Sequence, residues 1–148
     1  MIMRIDLTNH ENKEAIEKFY AEHYSAPQYL MPTAHSINGE SSNKEYYMYM
    51  DKLETVAIFA VTRLTPKHIM TSSAVVHKDH RGKGIGKKIN EWYETYAKKY
   101  GYNKITSEIY VDNIPSIVLK LKRGYLIEGL MRNHDEPGKH VYTLGKEL

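Results

Sequence analysis

Eight consecutive residues, Arg81-Gly82-Lys83-Gly84-Ile85-Gly86-Lys87-Lys88, combine backbone freedom with positive charge. Glycines at alternate positions leave the main chain bare, so its N–H groups can approach a ligand closely. A helix opening at this point would add unpaired N–H groups and the positive end of its dipole. With Arg81, Lys83, Lys87 and Lys88 around it, such a turn suits a pyrophosphate. It is neither of two common phosphate loops. A GxxxxGK[ST] loop would need glycine at Arg81 and Ser or Thr at Lys88, and a GxGxxG fingerprint would need glycine at Lys87 or Ile89. A solvated turn with a charged rim accounts for the residues equally well, so on the residues alone both readings stand.

Other side chains could move protons. Glu108 lies in a β-branched run where Ile105, Ser107, Ile109 and Val111 share one face and Thr106, Glu108 and Tyr110 the other. A carboxylate placed there is a candidate base or a salt-bridged surface group. His68 and His77 are weaker alternatives, because a lone strand-end histidine is usually a surface residue. Thr71, Ser72 and Ser73 offer hydroxyls but no carboxylate. His77 and His80 have the spacing of a metal pair, yet Lys78, Arg81, Lys83, Lys87 and Lys88 crowd them with positive charge, and no metal is expected.

Positioning these groups requires a mixed set of elements. Met3 to Leu7 reads as a strand, and Thr8 to Glu11 has the form of a capping box. A helix with Ile16, Phe19, Tyr20 and His23 on one face should follow. Residues 25–43, with Pro27, Pro32 and Gly39, suggest a short helix and a loop able to shape a pocket. Glu45–Met50, Thr55–Leu64 and His68–His77 form an expected antiparallel meander. After the glycine loop, Ile85, Ile89, Trp92 and Tyr96 recur at helical spacing, with Gly101 as the stop. Lys104–Val111 is the next strand. Asp112-Asn113 and Pro115 open a helix that ends at Gly124, and Tyr125–Arg132 and His140–Leu144 make a closing hairpin.

Composition narrows the class. A chain of 148 residues suits one domain over 1–148, and 41% hydrophobic with 26% charged residues is ordinary for a globular protein. The net charge of +3 is concentrated near the glycine loop, which favours a small phosphorylated ligand over a nucleic-acid groove. The absence of cysteine excludes a disulfide framework and thiol catalysis, and fits a cytoplasmic location. No apolar run is long enough to span a membrane, so no membrane partner is expected. Thirteen tyrosines against two phenylalanines suggest that tyrosine fills half-buried positions, with a substrate-lining role for some as the alternative.

The segment Ala74-Val75-Val76-His77-Lys78-Asp79-His80-Arg81-Gly82-Lys83-Gly84-Ile85-Gly86 resembles the strand and R/Q-x-x-G-x-G/A loop of the GNAT superfamily of N-acetyltransferases. A second stretch, Asn113 to Tyr125, resembles that family's N-x-x-A-x-x-L-Y-x-K-x-G-F, with Ser116 for Ala, Lys120 for Tyr and Tyr125 for Phe. Glu128 to Asn133 and Tyr142 to Lys146 are also similar to family members. The likeness implies an α+β fold of three α/β/α layers, with a twisted, mixed but mostly antiparallel sheet of about six to seven strands. About four helices would flank that sheet, which would splay open between its fourth and fifth strands.

The resemblance implies acetyl-CoA as co-substrate, with no metal. Its pantetheine arm would pair with Ala74, Val75 and Val76. Its pyrophosphate would rest on N–H groups from Gly82 through Lys83, Gly84, Ile85 and Gly86 to Lys87, beside Arg81, and Asn113 would face the cofactor or the reaction centre. Glu108 resembles the glutamate of E-V-R-x-S-N in ribosomal-protein N-terminal acetyltransferases, which implies a base. Lys120 stands where the family has a tyrosine that protonates the leaving thiolate. A lysine ammonium can donate too; contact with solvent or a CoA phosphate is the alternative, with Tyr110 and Tyr125 as stand-ins for the acid. The expected acceptor is a small-molecule primary amine. A protein N-terminal or lysine acetyltransferase, and a CoA-binding module without catalysis, are the alternatives, and a homodimer is left open.

Overall fold

The computed structural model describes residues 1–24, 37 and 43–148. The elements are β1 (Ile2–Arg4), α1 (His10–His23), β2 (Lys44–Asp51), β3 (Glu54–Thr65), β4 (His68–Val76), α2 (Ile85–Lys99), β5 (Lys104–Tyr110), α3 (Ile114–Lys122), β6 (Leu126–Met131) and β7 (Val141–Glu147). They form one mixed sheet of seven strands in the order β1-β2-β3-β4-β5-β7-β6. The expected short helix between Ser25 and Asn43 falls, apart from Ile37, outside the described residues. Among the described residues no helix is long and apolar enough to cross a membrane. Contacts divide the chain into two compact units, residues 1–62 with 73–85 and residues 63–72 with 86–148.

In the first unit the α1 cap is shifted by one position from the expected capping box. Asn9, not Thr8, is the N-cap, its side-chain oxygen accepting from the Glu11 N–H at 2.9 Å. Thr8 turns back instead and donates its hydroxyl to Asp6 at 2.7 Å. The buried face of α1 is Ile16, Phe19, Tyr20 and His23, as the periodicity predicts. β1 and β2 pair antiparallel from Ile2↔Tyr49 to Arg4↔Tyr47, and β2 and β3 pair antiparallel from Lys44↔Thr62 to Asp51↔Glu54. Ile5, Ile16, Phe19, Tyr20, Tyr46, Ile58 and Val75 pack into the core of this unit.

In the second unit the first residues of β4 pair parallel with β5, from His68↔Lys104 to Thr71↔Ser107. β5 pairs antiparallel with β7 along its whole length, and β7 with β6. The inner face of α2 differs from the expectation. Ile89, Tyr93 and Ala97 are buried, whereas Trp92 and Tyr96 lie half-exposed and stack on each other with ring centroids 5.0 Å apart. Asn113 caps α3 by accepting from the Ser116 N–H, and Pro115 stands in the first turn, where its missing N–H costs nothing. Tyr20, Tyr46, Tyr93 and Tyr125 are among the largest fully buried side chains. At these positions tyrosine does replace phenylalanine in packing.

Candidate functional site

After β4 the chain makes a 3₁₀ turn at Lys78–His80 and enters the glycine loop, from which α2 starts at Ile85. Gly82 and Gly84 have φ of 75° and 79°, left-handed conformations that cost an L side chain on the order of 1 kcal/mol. A Cβ at either would meet nothing within 4 Å, so the space over this backbone is open. Ile85 is buried and anchors the first turn of α2, while Gly82, Lys83, Gly84 and Lys87 are exposed. Arg81 does not reach into solvent as a free charge. Its guanidinium donates to the carbonyl of Val76 at 3.2 Å and to the carbonyl of His23. It braces the loop, beside the exposed Lys83, Lys87 and Lys88. The residues present therefore fit a diphosphate: two left-handed glycines whose Cβ positions are open among the described residues, a helix start and positive charge.

Upstream of the loop, β4 carries a local distortion. Ser73 has φ of 54°, rare for a non-glycine residue inside a strand. Its carbonyl is held by the hydroxyl of the fully buried Tyr20. Val75 is buried, Val76 is half-buried and Ala74 is exposed.

His23, His77 and His80 fill the space beneath this turn. The His23 and His77 rings lie 4.0 Å apart and His77 and His80 5.2 Å apart. His23 Nδ1 accepts from the Lys78 N–H at 3.2 Å, and His77 Nδ1 accepts from the Asp79 N–H at 3.1 Å. Burial first, and then the charge of His77, hold the His23 pKa below the ordinary histidine value. Glu54 sits 3.7 Å from His77 Nε2 and 3.0 Å from His80 Nε2, a grouping with metal-like composition. Sequence spacing paired the two histidines but gave no sign of Glu54. A neutral imidazole carries one proton. Because Nδ1 of His77 is an acceptor, its proton is on Nε2, pointing toward Glu54. The three side chains lie against one another, with their possible ligand atoms all within 4.8 Å.

In the second unit Lys120 departs from the expectation of solvent or phosphate contact. It is only 6% exposed. Its Nζ lies 4.5 Å from the centre of the Tyr125 ring and 5.4 Å from that of Tyr93, and donates to Thr71 Oγ1 at 3.3 Å. Thr71 in turn donates to Ser107 Oγ at 3.2 Å. Burial pushes the Lys120 ammonium down to about 7, against a smaller opposing pull from Glu94. Glu94 is itself engaged by Arg123 at 2.9 Å and Lys146 at 3.3 Å. Burial would raise the Glu94 carboxyl, but hydrogen bonds from Arg123 and Lys146 outweigh it and hold it low. Tyr125 is a poor stand-in acid, since burial and the charge of Glu94 raise its hydroxyl well above the ordinary range. That hydroxyl is buried without a hydrogen-bond partner.

Glu108 is exposed on β5, while Ile105, Ser107 and Ile109 face inward, as the alternation predicts; Thr106, on the side of Glu108, is buried as well. Its Oε2 lies 3.6 Å from His134 Nε2. Tyr110, two residues on, donates its hydroxyl to Asp135 at 2.6 Å. His68 is bound to Thr106 at 2.7 Å, and burial lowers its pKa. The Asn113 carboxamide oxygen is occupied with its helix cap. Sequence spacing gave no sign of His134, Thr71 with Ser107, or Glu94. Each meets its partner across a long loop of chain, and no local pattern records that.

Fold and site together define an acyl-transfer class. A family model described as an acetyltransferase (GNAT) domain matches residues 2–143. The chain belongs to the GNAT acetyltransferase family. No curated protein sequence matches it. Among solved structures it is similar to the ribosomal-protein-S18-alanine N-acetyltransferase from Escherichia coli, with 13% identity, a TM-score of 0.81, and 99% of this chain and 92% of that one covered. An aminoglycoside 6'-N-acetyltransferase complexed with coenzyme A gives 14%, 0.77, 99% and 96%. A GNAT family acetyltransferase from Elizabethkingia anophelis with acetyl-CoA bound gives 14%, 0.80, 100% and 97%. At these identities the likeness is one of fold.

Proposed function

We propose that the chain works as a single domain over residues 1–148 that transfers the acetyl group of acetyl-CoA to a primary amine by direct attack. The observation that carries this reading is the loop after β4. Two left-handed glycines open directly into a helix, in a chain of a family with this chemistry. N–H groups from Gly82 to Lys87 would hold the diphosphate, with Lys83 and Lys87 adding charge, and the backbone of Ala74, Val75 and Val76 would pair with the pantetheine arm. The distorted backbone at Ser73 supports an N–H near Val76 as donor to the oxyanion. Asn113 would border the cofactor through its backbone, its side chain being engaged in the cap. A cytoplasmic location is in keeping with this reading. Acetyl-CoA and the amine are the partners it requires.

Proton movements fall to Glu108 and Lys120. Glu108 would take up the proton that the acceptor ammonium must lose before attack. Lys120 would return one to the departing thiolate. An ordinary lysine, at about 10.4, would protonate a thiolate of about 8.5 uphill, by about 2.6 kcal/mol. Lowered to about 7, Lys120 makes the same transfer downhill. The burial that makes this lysine unlike its solvated form is what supports an acid role at the position where the family has tyrosine.

The acceptor favoured here is a small-molecule amine. A protein N-terminus is the second reading, supported by the Glu108-Ile109-Tyr110-Val111-Asp112-Asn113 stretch. Thiol release from acetyl-CoA against a panel of small amines and free-N-terminus peptides separates the two, with turnover expected on the small amines. Acetyl-CoA binding without turnover on any acceptor would leave only a binding module. In the same assay Glu108→Gln should cut kcat by about 100-fold while acetyl-CoA affinity stays within a few-fold. An unchanged rate would remove Glu108 as base.

A further inference from the structure

The turn between β6 and β7 is built to a fixed shape and fastened to β5. Asn133 holds φ of 50° and accepts the Gly138 N–H on its side-chain oxygen at 2.7 Å. The Asn133 N–H donates to His140 Nδ1 at 3.0 Å, and the His134 N–H to the Lys139 carbonyl at 3.0 Å. Two neighbouring side chains of this turn then meet two alternate side chains of β5. Asp135 accepts the Tyr110 hydroxyl at 2.6 Å, and His134 Nε2 lies 3.6 Å from Glu108 Oε2. A single exposed ion pair would carry little meaning. Here the pair is one half of a two-point attachment that sets the position of the imidazole. Glu108 and His134 are 41% and 39% exposed at the side chain, so both remain reachable by an amine from solvent.

We propose that His134 is the group that first receives the acceptor's proton, with Glu108 holding it in place. This rests on the reading that the acceptor is deprotonated at Glu108, and moves the first landing of the proton from that carboxylate to its neighbour His134. In the proposed step the ring keeps its proton on Nε2, 3.6 Å from the Glu108 carboxylate, and receives the acceptor's proton on Nδ1. An N–H bond of the acceptor ammonium breaks as the Nδ1–H bond forms. The free amine keeps the electron pair for attack, and the Glu108 carboxylate offsets the imidazolium charge. The other charged and titratable groups of this turn and its neighbours are Tyr110 with Asp135, His140, and Lys139 with its partner Asp112 at 4.0 Å. Sequence alone marks Glu108 and passes over His134, because the two meet only when the hairpin closes on β5.

The test is a double-mutant cycle on the full chain, with kcat, both KM values and the pH–rate profile measured for each variant. His134→Gln should lower kcat by about 100-fold, leave the KM for acetyl-CoA within a few-fold and displace the acidic limb of the profile. Combining it with Glu108→Gln should add less than about 3-fold, since the two act as one unit. Tyr110→Phe, which loosens the second attachment and keeps both members of the pair, should cost kcat a smaller factor of about 3 to 10. Full activity of His134→Gln beside an impaired Glu108→Gln would overturn this proposal and leave Glu108 as the base. Full activity of Glu108→Gln would overturn the base reading itself. Losses that multiply in the double variant would show two independent residues and also overturn the proposal.

Discussion

His23 in the first unit and Lys120 in the second are buried to almost the same extent, 5% and 6% exposed. Burial displaces both toward their neutral forms. They differ in what surrounds the neutral group. His23 accepts a backbone N–H on Nδ1 and stacks on His77, so its unprotonated state is specified by a bond and protonation would set two donors against each other. Lys120 has one long hydrogen bond to a threonine hydroxyl and two aromatic rings, which solvate an ammonium weakly and an amine hardly worse. Equal burial therefore gives a fixed proton in one case and an exchangeable one in the other. A buried ionisable group is evidence for chemistry only when neither of its protonation states is locked by a partner.

The largest effect should come from Lys120→Met. With its acid gone, kcat should fall by about 100-fold with little change in the KM for acetyl-CoA. The protein should gain stability at neutral pH. The sign follows from linkage: with the folded value near 7 and the free one at 10.5, the unfolded chain binds the extra proton between those limits. Wild-type stability should therefore rise with pH across that window, and thermal melts of Lys120→Met should lack that rise. Parallel melting curves for the two proteins would place Lys120 with His23 as a structural group.

A smaller effect sharpens the other side of the comparison. Because the His23 pKa lies below the free value of 6.5, its contribution to stability is fully present above 6.5 and is lost as pH falls toward the folded value. His23→Asn offers an acceptor in nearly the same place without the titration. Its melting temperature should be within a few degrees of wild type at pH 8, with a shallower decline toward pH 5. An unchanged slope would show that acid lability arises elsewhere.

Much of the architecture was legible because it is written in local periodicity. The buried stripe of α1, the alternation along β5, the Asn113 and Pro115 start of α3 and the glycine loop all follow from residues a few positions apart. Where two local solutions compete, the reading slipped. Thr8 and Asn9 can both cap α1, and Asn9 does so because Thr8 is engaged by Asp6. On α2, Tyr93 and Ala97 rather than Trp92 and Tyr96 turn inward. The environment of Lys120 was illegible for a different reason. Its partner Thr71 lies 49 positions away, and the step from a solvated to a caged ammonium belongs to packing that no spacing rule contains. Arg81 shows the same limit: its type marked it for phosphate, while its position made it a brace between two carbonyls.

The account depends most on the main chain after β4 holding the diphosphate of acetyl-CoA. Calorimetric titration of acetyl-CoA into the wild type and into Gly84→Glu tests this directly. A Cβ at Gly84 meets nothing within 4 Å among the described residues, so the substitution adds backbone strain and an anion without a clash at Cβ. The predicted result is saturable binding to the wild type and at least about 100-fold weaker binding to the folded variant, a loss of about 2.7 kcal/mol or more. Equal affinities would contradict the assignment of the loop.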